Sequence, residues 1–339
     1  MRYVLATIAA VAVTGLVALV GLGAKDAPGG KPPAGGDAFT GEYVGAFTAP
    51  CGKLCHVDAK VYPRKDDFGV TMVFTYPKAK PGAKPRRVEF TGKVADGTFT
   101  AGNTKWKASI SDKALAAVLS TKKGPGKCKL DFAVRKSPTL GAKPPPGAVV
   151  LLPFAPGKKP SLDAWENRGW KANADGSMNK GRGNIVSKHA FGSAKIHVEF
   201  MTPYEPAKRG QGRGNSGVYV HGRYEVQVLD SFGLVPGGGD CGAIYGVAPP
   251  KTNACLPPLR WQTYDITFTA PKMDTDGKVT QPGRMTVLHN GVKIHENVAV
   301  GGTTRAGMRN LKGPTGPLML QDHGNLVKYR NIWLVALKG

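Results

Sequence analysis

Apolar residues in this chain recur at every second position in short runs, and glycine or proline interrupts the sequence between the runs. That spacing is the period of a β-strand, whose side chains alternate between two faces. The clearest case is GNSGVYVHGRYEVQVLDS, from Gly214 to Ser231. Val218 and Val220 lead into a turn at His221-Gly222-Arg223, and Tyr224, Val226 and Val228 lead out, so the stretch reads as a hairpin. The other face of its second strand carries Glu225 and Gln227, a carboxylate beside an amide among β-branched residues. Solvent exposure is the plain explanation of that pair, and a site is the other.

Similar runs fill the chain. Gly41–Phe47, Val70–Tyr76, Val88–Val94 and Leu130–Val134 read as strands of a small β-rich accessory domain over 39–137, in which only Asp112–Ser120 reads as a short helix. A Pro-rich linker, 138–150, marks a boundary. Beyond it, Ala194–Met201, Gln262–Ala270, Gly283–His289, Pro317–His323 and Val327–Leu334 join the hairpin in a second domain, 151–339. Many strands without intervening helices predict a mainly β protein, an antiparallel β-sandwich of jelly-roll type preceded by the smaller domain. With 46 glycines and 27 prolines for turns and 41% hydrophobic residues for a core, 339 residues are enough for both.

The first 24 residues, Arg2 followed by an apolar run, read as a signal peptide or N-terminal anchor, and 25–38 as a Pro/Gly-rich linker. Export to the periplasm, cell envelope or medium is expected, with the membrane met only through this segment. Five cysteines fit an oxidising compartment. Cys241 and Cys255 flank a Pro/Gly-rich loop, and a disulfide closing about 15 residues would add roughly 3 kcal/mol. Cys51, Cys55 and Cys128 leave one thiol over, and a zinc site there would need a fourth ligand such as His56. The formal net charge of +24 raises nucleic acid as a partner, but the lysines are spread widely and rarely alternate with aromatics, so adhesion to acidic cell-surface polymers is the milder reading.

Several blocks in order, among them Phe200–Tyr219, Gly222–Ser231, Cys241–Gly246, Trp261–Asp265, Val287–Val292 and Leu320–Asn325, resemble the 3-keto-disaccharide hydrolase domain family over about 153–337. The resemblance implies a concanavalin A-like jelly roll, export, and cleavage of 3-oxidised glycosides, with an oxidised glucoside or disaccharide as the carbohydrate partner. Glu225-Val-Gln227-Val-Leu-Asp230 has the spacing of the E-x-D-x-x-E strand of related glucanases, with Gln227 in place of the middle acid. A retaining glycosidase needs two carboxyl groups about 5 to 5.5 Å apart. A 3-keto sugar needs less, because its ketone acidifies the C2 proton: one base forms an enolate, the C1 substituent leaves, and water adds afterwards. Glu225 is the expected base, and His323 a base, acid or ligand. Asn215, Tyr219, Gln227, Gln321 and Arg330 are the expected sugar contacts, and Glu225 with His323 the candidates for holding a divalent metal ion. The rival from another class is a non-catalytic carbohydrate-binding module using the same cleft.

Overall fold

A strand that buries one face and exposes the other leaves two unpaired edges unless the sheet closes, and the first half of this protein closes. The computed structural model describes residues 38–77, 80, 85–166, 169–276, 278–311 and 313–337. The expected signal or anchor, and all but the last residue of the linker after it, lie outside the described residues. Strands β1 (Gly41–Thr48), β2 (Leu54–Pro63), β3 (Phe68–Thr75), β4 (Arg86–Ala95), β5 (Thr98–Gly102), β6 (Trp106–Ser111), β7 (Ala114–Leu119) and β8 (Gly126–Ala133) pair antiparallel in sequence order, and β8 pairs back onto β1. The interior is packed with rings, including Tyr43, Phe47, Phe74, Phe99 and Trp106.

The helix expected over Asp112–Ser120 is not formed. Asp112 and Lys113 both take left-handed φ (47° and 60°) and make the tight turn between β6 and β7. Leu115, Ala117 and Leu119 then face the barrel interior while Ala116 and Val118 face out. The alanines and leucines that favour a helix locally are overridden by pairing on both edges.

The remainder is a jelly-roll β-sandwich of concanavalin A-like type. One sheet has five strands, in spatial order Trp165–Glu166, Ile185–Phe191, Gly316–Leu320, Ser216–Val220 and Tyr224–Val228. The facing sheet has eight, and its centre is formed by Lys328–Ala336, Ala194–Met201, Gln262–Thr269 and Gly283–His289. Between them lies one apolar core, which includes Phe200, Val218, Val226, Phe268, Leu320 and Ile332. Two tyrosines cross it: Tyr264 donates to the Gln227 carbonyl at 2.6 Å, and Tyr329 to the Ser216 hydroxyl at 2.7 Å.

Barrel and sandwich touch through polar contacts around one ring. Tyr62 packs on the sandwich core against Gly233, whose backbone has φ +81° and where a Cβ would lie 2.3 Å from the tyrosine ring. Thr71 and Arg87 donate to the Gly233 carbonyl at 3.0 and 2.7 Å, and Arg213 reaches back to the Pro63 carbonyl at 2.9 Å. The start of the Pro-rich linker lies on the outer face of the eight-stranded sheet. There Gly141 donates its N–H to Glu199, Thr139 donates to Asp265, and Asn331 donates to the Ala142 carbonyl.

Cys241 and Cys255 come together in the sandwich core, but as hydrogen-bonded free thiols rather than the expected disulfide. Cys51, Cys55 and Cys128 are free as well, Cys51 exposed and the other two buried.

Phe99 is fully buried in the barrel. Phe99→Ala is expected to cost about 3–5 kcal/mol, the penalty for emptying a ring-sized core site, measured as a shift in the denaturant midpoint.

Candidate functional site

The hairpin predicted from Gly214–Ser231 is present, and its two faces have different fates. His221 and Gly222, with left-handed φ of 55° and 62°, open the three-residue turn His221-Gly222-Arg223. Val218, Val220, Tyr224, Val226 and Val228 enter the sandwich core. By the same alternation, Gly217, Tyr219, Glu225 and Gln227 stand on the opposite face. That face is not open to solvent, since Glu225 is 3% and Gln227 1% exposed. Residues 242–245 run along the outer edge, where Gln227 donates to the Ala243 carbonyl at 2.9 Å and Tyr245 to the Glu225 carbonyl at 3.1 Å. Exposure therefore does not explain the carboxylate–amide pair.

Glu225 sits directly across from Tyr219, and the tyrosine hydroxyl donates to its carboxylate. Gln321, just beyond the neighbouring strand, donates to the same hydroxyl at 3.2 Å, giving a relay Gln321–Tyr219–Glu225. Gly217 makes the space: a Cβ there would lie 2.6 Å from Glu225 Oε1. Burial raises the Glu225 pKa to about 7, against the opposing pull of the Tyr219 hydrogen bond. Burial also drives the Tyr219 phenol well above its ordinary range, with the Glu225 charge adding to the effect, so it stays a neutral donor.

A second cluster adjoins it. Asn215 and Gln227 both turn their amide N–H groups to Gln211 Oε1, at 3.1 and 2.9 Å, and Gln211 in turn donates to the Gly239 carbonyl at 2.8 Å. Their oxygens, Asn215 Oδ1 and Gln227 Oε1, are buried without a hydrogen-bond partner. An unmatched buried acceptor is costly, and two side by side fit a ligand that brings hydroxyl donors.

The structure thus brings together five of the expected residues: Glu225, Tyr219, Gln227, Asn215 and Gln321. It does not bring in Arg330, which lies on the eight-stranded sheet with its side chain away from the core. There it pairs with Glu199 at 2.7 Å and stacks between the rings of Phe154 and Trp261. Asn331, at φ 47°, marks the irregularity that puts Arg330, Asn331 and Trp333 on this outer surface. Nor does His323 join the cluster: it is exposed in the loop after Gln321 and makes no hydrogen bond or ion pair among the described residues. His221 is fixed in the hairpin turn by the Gly192 carbonyl and Arg223, with burial lowering its pKa to about 4. Asp230 is not a second acid for the site, because it is locked to Arg213 at 2.7 Å. Gln211 and Gly217 were missed by sequence reasoning. Gly217 carried a signal, a glycine inside a strand, which marks close approach of another group. Gln211 carried none, since it stands in a Gly-rich loop.

The arrangement supplies one base near neutrality, a neutral phenol and unpartnered amide oxygens. The pair expected to hold a divalent metal ion, Glu225 and His323, is not assembled, since Glu225 is buried and His323 exposed, and no three His, Cys, Asp or Glu side chains converge among the described residues.

Residues 148–335 match the model of the 3-keto-alpha-glucoside-1,2-lyase-like domain. A solved structure from Parabacteroides distasonis, provisionally named a glycosyl hydrolase, is 34% identical, with a TM-score of 0.51 over 57% of this chain and 85% of its own. A second protein of that bacterium, provisionally named in the same way, is 20% identical, with a TM-score of 0.40 over 57% of this chain and 94% of its own. No curated protein matches the chain.

Because the Glu225 pKa is raised from 4.5 to about 7, folding favours the protonated carboxyl. Its contribution to stability is complete below about pH 4.5 and is lost as pH rises through 7, a swing of about 3 kcal/mol. Glu225→Gln, which keeps the shape without the charge, is expected to be more stable than the parent at pH 8 to 9. The margin should close by about pH 4.5 in denaturation curves.

Proposed function

Since the chain belongs to the 3-keto-alpha-glucoside-1,2-lyase-like domain family through residues 148–335, we propose that it cleaves the glycosidic bond of 3-keto-glycosides by removing the C2 proton. The coarser statement, a carbohydrate-active, hydrolase-like protein, follows from the family itself. Support for the finer one is the Glu225 carboxyl, the single acid of the cluster, buried and with a pKa near 7. A two-carboxylate glycosidase mechanism is not available here, because Gln227 is neutral and Asp230 is spent on Arg213. A base titrating near neutrality suits an acidified C–H bond.

In this reading Glu225 takes the C2 proton of the sugar and the electron pair moves to the C3 ketone oxygen. The C1–O bond to the aglycone then breaks as the enolate collapses to an enone, and the leaving oxygen recovers a proton. Addition of water across C1 and C2 completes a net hydrolysis; release without it leaves the unsaturated ketone. Tyr219, held by Gln321, orients the Glu225 carboxylate. Asn215 Oδ1 and Gln227 Oε1 accept sugar hydroxyls. Entry of the sugar requires the loop carrying Gln211 to part from Gln227 and Gly239, and this frees amide N–H groups to bond the enolate oxygen. The apolar run within the first 24 residues supports, as part of this proposal, export to the periplasm, cell envelope or medium.

The near-complete burial of Glu225 also favours a second reading, a carbohydrate-binding module with no chemistry. Nitrophenol release from a nitrophenyl 3-ketoglucoside separates the two. The enzyme reading expects turnover that rises with pH through about 7 and falls by about 10²–10⁴-fold in Glu225→Gln. Saturable binding without release would establish the module, and parental turnover in the variant would remove Glu225 from the mechanism.

A further inference from the structure

In an up-and-down barrel the loops fall alternately at two ends, so the chain can place different charges at each. Here it does. The described residues of the loops after β1, β3, β5 and β7, namely 49–53, 76, 77, 80, 85, 103–105 and 120–125, gather at one end and include no aspartate or glutamate. Their described basic residues are all lysines, Lys53, Lys80, Lys105, Lys122 and Lys123, and every one is exposed. Lys107 and Lys127, exposed on the adjoining strands, flank Val118 in one cross-strand row and extend the charge down the wall. The acids of the barrel's other turns, Asp66, Asp67, Asp96 and Asp112, all sit at the opposite end.

None of these seven lysines enters the barrel's ion pairs, which are Lys60–Glu42, Arg64–Asp67, Arg87–Glu89, Arg135–Glu42 and His56–Asp58 among the described residues. The sandwich does not cover them either: the barrel's hydrogen bonds to it come from Lys60, Pro63, Thr71 and Arg87, with Arg135 just after β8. Like charges brought this close repel one another, and a partner that supplies the missing anions relieves the repulsion.

We propose that the lysine-lined end of the barrel is a docking surface for an acidic polysaccharide, one that carries carboxylates along its length. Lysine is a compact charge that makes no demand on the geometry of its anion, which suits carboxylates spaced along a flexible glycan. Single-stranded nucleic acid needs successive stacking rings, and the end presents one exposed aromatic, Tyr76, among the described residues. The preference for a glycan over a DNA duplex rests on the carbohydrate reading of the sandwich. The barrel would then hold the polymer while the sandwich works on sugars borne by it or released near it.

The test uses the full chain with fluorescent polygalacturonate, dextran as the neutral control and a short DNA duplex, each titrated at low and high salt. Binding to polygalacturonate, weakened by salt, with no binding to dextran, is expected. Replacing Lys53, Lys105, Lys122 and Lys123 together with alanine should weaken it about tenfold or more. The same charge removed from the sandwich, at Lys158, Lys159, Lys188 and Lys195, should leave it within about twofold. Both variants should keep the parental melting temperature and the parental activity, if any, on a small 3-ketoglucoside. Equal losses in the two variants, no binding to polygalacturonate at low salt, or tighter binding to the duplex would each overturn the proposal. None of these outcomes depends on whether Glu225 is a base.

Discussion

A strand sealed into a core on one face has a single direction left for its polar side chains, and the Gly214–Ser231 hairpin is built on that restriction. Its valines are held in the sandwich, and two hydroxyls from the facing sheet, Tyr264 and Tyr329, fasten its backbone and Ser216 from beneath. Glu225 and Gln227 are therefore committed to the far side, where residues 242–245 and Gln211 close over them. The raised pKa of Glu225, the relay through Tyr219 and the unpartnered amide oxygens all follow from polar groups being forced into a place that water does not reach.

The same logic explains why the second sheet bears no part of the site. Its outer face also holds a buried polar set: His197, hydrogen-bonded to Asp265, and Glu199, hydrogen-bonded to Asn331 and Arg330. Burial alone would lower the His197 pKa, but the two carboxylates outweigh it and hold the pKa above its usual value. This set is covered by the linker residues Thr139, Gly141 and Ala142, so its polar groups are satisfied by backbone and neighbours rather than left for a ligand. Arg330 belongs to that arrangement. Two polar clusters thus occupy opposite surfaces of one sandwich, the first with acceptors unmatched and the second with its carboxylates and imidazole paired.

Legibility in the sequence followed the range of the interactions. The hairpin, its turn and its two faces depend on residues within eighteen positions, and alternation alone disclosed them. Tyr219 fell on the face of Glu225 because parity across one short hairpin is local as well, whereas Gln321, 102 residues away, was brought beside it by strand pairing. The short helix over 112–120 failed because alanine and leucine propensity is weak beside two flanking strands, and the left-handed pair Asp112-Lys113 turned the chain back. Arg330 failed because a one-residue irregularity at Asn331, and the choice of sheet, cannot be counted from parity. Gln211 escaped notice because a loop side chain has no period at all.

By itself, the sequence determined that the chain would be mainly β, where the Gly214–Ser231 hairpin would turn, and that one strand would carry an acid and an amide side by side. It also determined the charge of each barrel loop. Only the tertiary structure decided that the acid would be buried against Gly217 and Tyr219, that Asp230 would be taken by Arg213, and that the acid-free loops would share one end of a closed barrel. The division has a physical cause. Periodicity is set by backbone geometry between neighbours, whereas burial, pKa and charge clustering are set by which distant segments the closed sheets bring into contact.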